Sequence, residues 1–280
     1  MPVSILTDSS VQFPNPVFEG RTRVTILPTK WEDAPKADTA NDLKAADLPQ
    51  SLNGFKAPNM GTTSIEEYQD NFERLGPHCD GILAILNSAH FNENTANAQA
   101  AAEAMQGSVP IKIVDSNNIS LGLGMLVQLA AEAAEEGLAL TELELSIRSL
   151  IPRIYTVLCI PGLSYLERRG LVNVTQALVG EHLGMLPVFT LDSGELVHSE
   201  KARNKRHLVD ILHEFLTEFG ELEHISLLQG TPSFEQETRA LRERLAEDHA
   251  DTPISEQIID AQMASIIGPH SVGVFALQAA

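Results

Sequence analysis

Two stretches share one ending: "ILTDSS" (Ile5–Ser10) near the start of the chain and "IKIVDSNN" (Ile111–Asn118) in its middle. Each is a short apolar, β-branched run that stops abruptly at Asp-Ser. Such a run reads as a buried strand that ends where polar side chains take over. In open α/β sheets, ligands bind just outside the carboxyl ends of the strands. The two endings therefore mark both the fold and the place to look for a site.

Working outward, Val3–Leu6, Arg23–Leu27, Gly81–Leu86 and Pro110–Val114 read as buried strands, with helical patterns between them. Ser64–Leu75 follows two threonines, and Thr63/Glu66 and Ser64/Glu67 both have capping-box spacing. Asn92–Met105 is alanine-rich with a polar start, and Ser120–Glu136 is a long amphipathic stretch closed by Gly137. A further helix, Thr141–Leu150, stops before Pro152. Strands alternating with helices over short links predict a mostly parallel sheet with helices on both faces. Residues 31–52 form one long, acidic, irregular segment that reads as a flap or peripheral decoration.

Beyond residue 152 the pattern changes, which divides the chain into an α/β domain over 1–152 and an α+β domain over 153–280. Ile154–Cys159 reads as a strand, Leu163–Leu183 as two short helical pieces, and "VFTLDSGELVHS" as a hairpin turning on Asp192-Ser193-Gly194. Charged amphipathic helices over Arg203–Phe219 and Ser233–Asp248 flank a strand at His224–Leu228. The chain then closes with two apolar runs broken around Gly268-Pro269-His270, and His270 is read as following an apolar strand.

At 280 residues the chain can bury two modest cores. The 38 acidic and 19 basic residues give a formal net charge of -19, which repels phosphate backbones and anionic membrane surfaces. Nucleic-acid binding and stable membrane insertion are thus disfavoured, and the opening residues lack the pattern of a secretory signal. A cytoplasmic protein is expected. Cys79 and Cys159 are far apart and have no ligand-like neighbours, so both read as free thiols in the interior.

The candidate site groups are Asp8, Ser9 and Ser10 after the first strand, "NSAHFNENT" (Asn87–Thr95) after the third, and Asp115 and Ser116 after the fourth. Such residues commonly cap a helix or tie down a turn. Converging at one crevice, they also offer hydroxyls and amides to a ligand. The helix starts at Thr62-Thr63-Ser64 and Asn92-Glu93-Asn94 can hold an anionic head group on their free N–H groups, although Glu66 and Glu93 add like charge. His270 is the histidine with the least structural reason to be where it is.

Phosphate-loop, nucleophile-elbow and zinc-protease patterns are absent, and no cofactor or metal is implied. Gly122-Leu123-Gly124 reads as a place of close helix packing rather than a dinucleotide fingerprint. A hydrolase or phosphoryl-transfer site using Asp8, Asp115 and His270, with Ser9 or Ser88, can be written down, but no spacing supports it.

Four blocks, "ILTDSS", "VTILPTK" (Val24–Lys30), "IKIVDSNNISLGLG" (Ile111–Gly124) and "LSYLERRGLVNVTQALVGEHLGMLPVFTLDSGELVHSEKAR" (Leu163–Arg203), fall in the order and spacing of the DegV family, which the chain resembles over essentially its whole length. The resemblance implies a two-domain α/β protein without catalytic activity of its own. It would hold a long-chain fatty acid in a buried tunnel between its domains and present the carboxylate to the catalytic subunit of a fatty acid kinase. Set against the family's pattern, Asn92 falls on its ligand-binding serine, His270 is kept, and its carboxylate-binding threonine falls on Met60, with Thr62 or Thr63 as the substitute from the next turn. Ser88, Ser9 and Ser120 complete the candidate head-group set, and Arg169 and Arg203 are the candidate partner contacts.

The head-group blocks depart from the family pattern. Met60-Gly61-Thr62-Thr63 stands where the family has Thr-Ser-Gln-Pro, and Phe91-Asn92-Glu93-Asn94 stands for Leu-Ser-Gly-Thr. Arg169-Gly170-Leu171-Val172 replaces Gly-Gly-Arg-Ile, and the segment after His270 is shortened. These changes imply a rebuilt clamp with altered head-group selectivity.

Overall fold

The computed structural model describes residues 2–32, 43–105 and 109–279. In chain order, strands β1 (Val3–Thr7) and β2 (Val24–Ile26) are followed by the short strands β3 (Trp31–Glu32) and β4 (Asn59–Met60). Next come helix α1 (Ile65–Leu75), β5 (Gly81–Leu86), α2 (Asn94–Ala104), β6 (Ile111–Asp115), α3 (Ser120–Glu135) and α4 (Leu140–Leu150). The remainder runs β7 (Ile154–Cys159), α5 (Leu163–Arg168), α6 (Val174–His182), β8 (Leu186–Asp192), β9 (Glu195–Ala202), α7 (Lys205–Thr217), β10 (Leu222–Gln229), α8 (Glu235–Asp248), β11 (Ile254–Ile258), α9 (Ala261–Ile267) and β12 (Val272–Gln278).

The chain forms two compact units. One comprises Met1–Lys30, Gly61–Arg153 and Ser193–Glu195; the other comprises Trp31–Met60, Ile154–Asp192 and Leu196–Ala280. Residues 31–32 and 43–60, which the sequence groups with the N-terminal half, thus fall in the second unit. Residues 33–42 of the acidic segment lie outside the described residues.

The first unit is built on a four-stranded parallel sheet of order β2-β1-β5-β6. Strand β5 is buried at all six positions, as a central strand covered on both faces must be. Tyr68 and Phe72 of α1 and Ala98 and Ala101 of α2 share one core cluster with Leu6, Ile82, Ala84 and Leu86. Helix α1 starts where the capping pattern places it: Ser64 Oγ accepts from Glu67 N at 3.3 Å, and Glu67 Oε2 accepts from Ser64 N at 3.1 Å. Helix α3 lies close against the segment after β1. A Cβ on Gly124 would fall 2.0 Å from the Gln12 carbonyl oxygen, so only glycine fits there.

The second unit has a six-stranded sheet of order β11-β10-β12-β7-β8-β9, with β10 and β11 parallel and β10-β12, β12-β7 and β7-β8 antiparallel. Val272, Val274 and Ala276 of β12 join Leu208, Leu212, Leu241 and Leu245 of α7 and α8 in a second core. Strands β8 and β9 form the expected hairpin. Ser193 and Gly194 both have positive φ, 49° and 87°, the conformation that a two-residue primed turn requires. A Cβ on Gly194 would meet Ser88 Oγ at 2.3 Å. Gly194→Ala is therefore expected to lower unfolding free energy by about 1–2 kcal/mol, read from the urea midpoint.

Further features differ from the sequence reading, among them the short strand β3 at the start of the segment read as irregular. The run before His270 is not a strand but α9, a seven-residue helix capped by Asp260, whose Oδ1 accepts from Met263 N at 2.7 Å. Strand β11 was not anticipated, because its exposed positions alternate with half-buried ones on the sheet edge. Both cysteines are free and buried, and burial pushes the Cys159 thiol up to about 12. Among the described residues, no helix is long and apolar enough to cross a membrane.

Candidate functional site

In the first unit the carboxyl ends of β1 and β5 are adjacent, and Asp8 ties them together. Its Oδ1 accepts from Ser10 N at 2.9 Å and from Ser10 Oγ at 2.5 Å; its Oδ2 accepts from Asn87 N at 2.8 Å. Burial lifts the Asp8 carboxyl above its ordinary value against the pull of these donors. Asp115 does similar work after β6, accepting from Asn117 N at 2.9 Å and Ala89 N at 3.3 Å. Both carboxylates are occupied in bracing backbone turns, an arrangement that suits neither a general base nor a nucleophile.

The starts of α1 and α2 are brought together by Asn94. Its Oδ1 accepts from Thr63 N at 2.9 Å, its own N–H donates to Asn92 Oδ1 at 3.0 Å, and Asn97 Nδ2 donates to Thr63 O at 2.8 Å. Thr63 and Asn92, widely separated in sequence, thus belong to one network, with Thr62 half-buried beside it. Asn92 Nδ2 is a buried donor with no hydrogen-bond partner among the described residues. Near by, burial and then the Asp8 charge raise the Tyr68 phenol, which is therefore neutral.

Two other candidates are committed to structure. Ser88 is fully buried and its Oγ donates to Gly194 O at 2.8 Å. Ser120, also fully buried and at φ 53°, donates to Gln12 Oε1 at 3.1 Å, which anchors the start of α3 to the segment after β1. Ser9 is half-buried.

In the second unit, alternation along β8 decides where a cavity forms. Val188 joins the core beneath α7 and α8, so Pro187 and Phe189 point to the opposite face of the sheet. There they line a groove of about 440 Å³ with Leu163, Leu171, Val179 and Met185 from the α5–α6 region and Leu196 from β9. Gly180 makes α6 fit this wall, since a Cβ there would lie 2.4 Å from Leu163 Cδ1. Sequence reading did not find the groove: Phe189 and Leu196 are ordinary strand residues, and only the placement of α5 and α6 makes them a lining.

His270, on the loop between α9 and β12, has Nδ1 3.0 Å from the Pro232 carbonyl oxygen and stacks on Phe234 with ring centroids 4.5 Å apart. The arginines are divided. Arg168 donates to Ala57 O at 2.9 Å and Ser265 O at 2.6 Å, and Arg169 donates to Asn59 Oδ1 at 3.1 Å, so both hold residues 57–59 in place. Burial, then the neighbouring Arg168 charge, pushes Arg169 down to about 10. Arg203 is exposed.

A parallel α/β unit with polar strand ends and a mixed-sheet unit carrying an apolar groove define a class of two-unit α/β proteins. The family model described as "Uncharacterised protein, DegV family" matches residues 2–279, and the chain belongs to the DegV family. A DegV domain-containing protein of Caldanaerobacter subterraneus is 28% identical over 218 residues, 78% of each chain. The same fold is seen in a DegV family protein of Thermus thermophilus described for its fatty acid binding, with TM-score 0.81, 23% identity and full coverage of both chains. It is seen again in the Streptococcus pneumoniae Fatty Acid Kinase (Fak) B3 protein loaded with linoleic acid, with TM-score 0.82, 17% identity and 99% of each chain covered.

Proposed function

We propose that this protein binds a long-chain fatty acid and carries it without chemistry of its own. The observation that carries the proposal is the apolar groove of the second unit, together with the fatty acids carried by relatives of the same fold. The acyl tail lies along Phe189, Leu196, Leu163 and Val179. About ten buried methylenes contribute roughly 8 kcal/mol before the cost of association, enough to bind without a strong head-group clamp.

The candidate groups for the head group are Thr62, Thr63 and Asn92, with Ser9, in the first unit and, taken by itself, His270 in the second. Asn92 Nδ2 is a buried donor awaiting an acceptor, which supports its replacing the serine of the family pattern. A hydrogen bond to a charged group is worth about 1.5–3 kcal/mol, so the clamp governs selectivity more than affinity. Presentation to a kinase partner is the further step of the reading, supported by the kinase name of the Streptococcus pneumoniae relative. Arg203 is the basic contact best placed for such a partner, because it is exposed whereas Arg169 is engaged with Asn59. The hydrolase reading is not favoured, because Asp8 and Asp115 are taken up by backbone donors.

Native mass spectrometry of the purified protein is expected to show an added mass of roughly 200–300 Da that disappears on denaturation, the mass of a chain long enough for such tail burial. A bare-chain mass, with no uptake after incubation with fatty acid, would refute the proposal.

A further inference from the structure

His270 carries an inference that rests on the fatty acid reading and adds a proton to it. The Pro232 carbonyl can only accept, so the 3.0 Å contact places a hydrogen on His270 Nδ1. In a neutral imidazole the second nitrogen then presents a lone pair. The stack on Phe234, at an interplanar angle of 23°, fixes the ring in this orientation. A neutral His270 therefore shows Nε2 as an acceptor, and a carboxylate, which is also an acceptor, has nothing to bond with it.

We propose that the fatty acid head group binds at His270 with the uptake of one proton from solvent. One carboxylate, one neutral imidazole and one proton combine. In the complex one hydrogen stays on Nδ1, donated to Pro232, and the added one lies between Nε2 and a carboxyl oxygen. No covalent bond to carbon forms or breaks.

The charged groups facing the ring are Lys205 at the start of α7 and Glu237 in the first turn of α8. They pair with each other at 3.6 Å, and Lys205 Nζ also lies 4.8 Å from the centroid of the Phe234 ring. Burial holds His270 below its ordinary value; the Pro232 bond and Glu237 act against that, and Lys205 acts with it. The free ring is thus neutral near pH 8, where a carboxyl of ordinary pKa is ionised. Binding raises the affinity of the pair for a proton, so affinity falls as pH rises, by about tenfold per unit.

Laurate, titrated calorimetrically near pH 8 into the full chain in two buffers of different ionisation enthalpy, tests this. About one proton taken up per laurate is expected. Dodecanol, which brings its own hydroxyl hydrogen, should bind with none. His270→Gln offers an amide donor, so this variant should bind laurate more weakly, with no proton uptake and a flat pH profile. Zero uptake by the natural chain overturns the proposal, as does undiminished uptake by His270→Gln. No laurate binding at all overturns the fatty acid reading, and this inference with it.

Discussion

Replacing Val179 by Asp is expected to weaken fatty acid binding about 60-fold while leaving the thermal midpoint almost unchanged. Val179 lines the groove but is 49% exposed, so a carboxylate there meets water in the free protein and costs the fold little. In the complex it would displace the tail from about three methylenes at about 0.8 kcal/mol each, roughly 2.4 kcal/mol in all. Displacement of a fluorescent fatty acid measures the change, with Val179→Leu as the control that keeps the wall apolar. Equal affinity for the two variants would mean that the tail does not lie along this groove.

Asp8→Ala has the largest expected effect on stability, a loss of about 4 kcal/mol. The substitution leaves the N–H groups of Ser10 and Asn87 buried without their acceptor, each at a cost of about 1–3 kcal/mol, and frees the Ser10 hydroxyl as well. That is a large share of the 5–15 kcal/mol that separates typical folded and unfolded states. Urea unfolding measures it. Asp8→Asn, which keeps one acceptor oxygen, should lose less, and a loss below about 1 kcal/mol for Asp8→Ala would show that the turn is braced elsewhere.

Much of the first unit is legible in its residues. Strands β1 and β5 are apolar runs ended by Asp and Asn, and Ser64 and Glu67 form the capping box that their spacing predicts. The hairpin at Ser193-Gly194 is equally plain, since few residues other than Gly, Asn, Asp and Ser accept that conformation. Helix α9 was harder. It is apolar on nearly every side, and seven such residues carry no period that separates a buried helix from a strand, although Asp260 was a cap signal in view.

The site divides in the same way. Thr63, Asn92 and Asn94 are all legible as polar residues at helix starts, but no spacing shows that the Asn94 side chain joins the two starts, a contact made across 31 residues. Ser88 and Ser120 have the right chemistry and the wrong surroundings, a distinction made by tertiary burial alone. Arg168 and Arg169 look like surface charge, and their service to backbone and amide oxygens near residue 58 depends on a segment more than a hundred positions upstream.

That upstream segment also constrains how the molecule is made. The Pro49 carbonyl meets the Tyr165 hydroxyl across 116 residues, and Leu52 N–H meets Ser164 Oγ across 112. A ribosome adding about 5–20 residues per second releases Pro49 and Leu52 roughly 6–23 s before the helix that receives them. During synthesis this stretch waits uncovered, and a gene cut at codon 152 would yield a C-terminal fragment whose α5 never meets its lining.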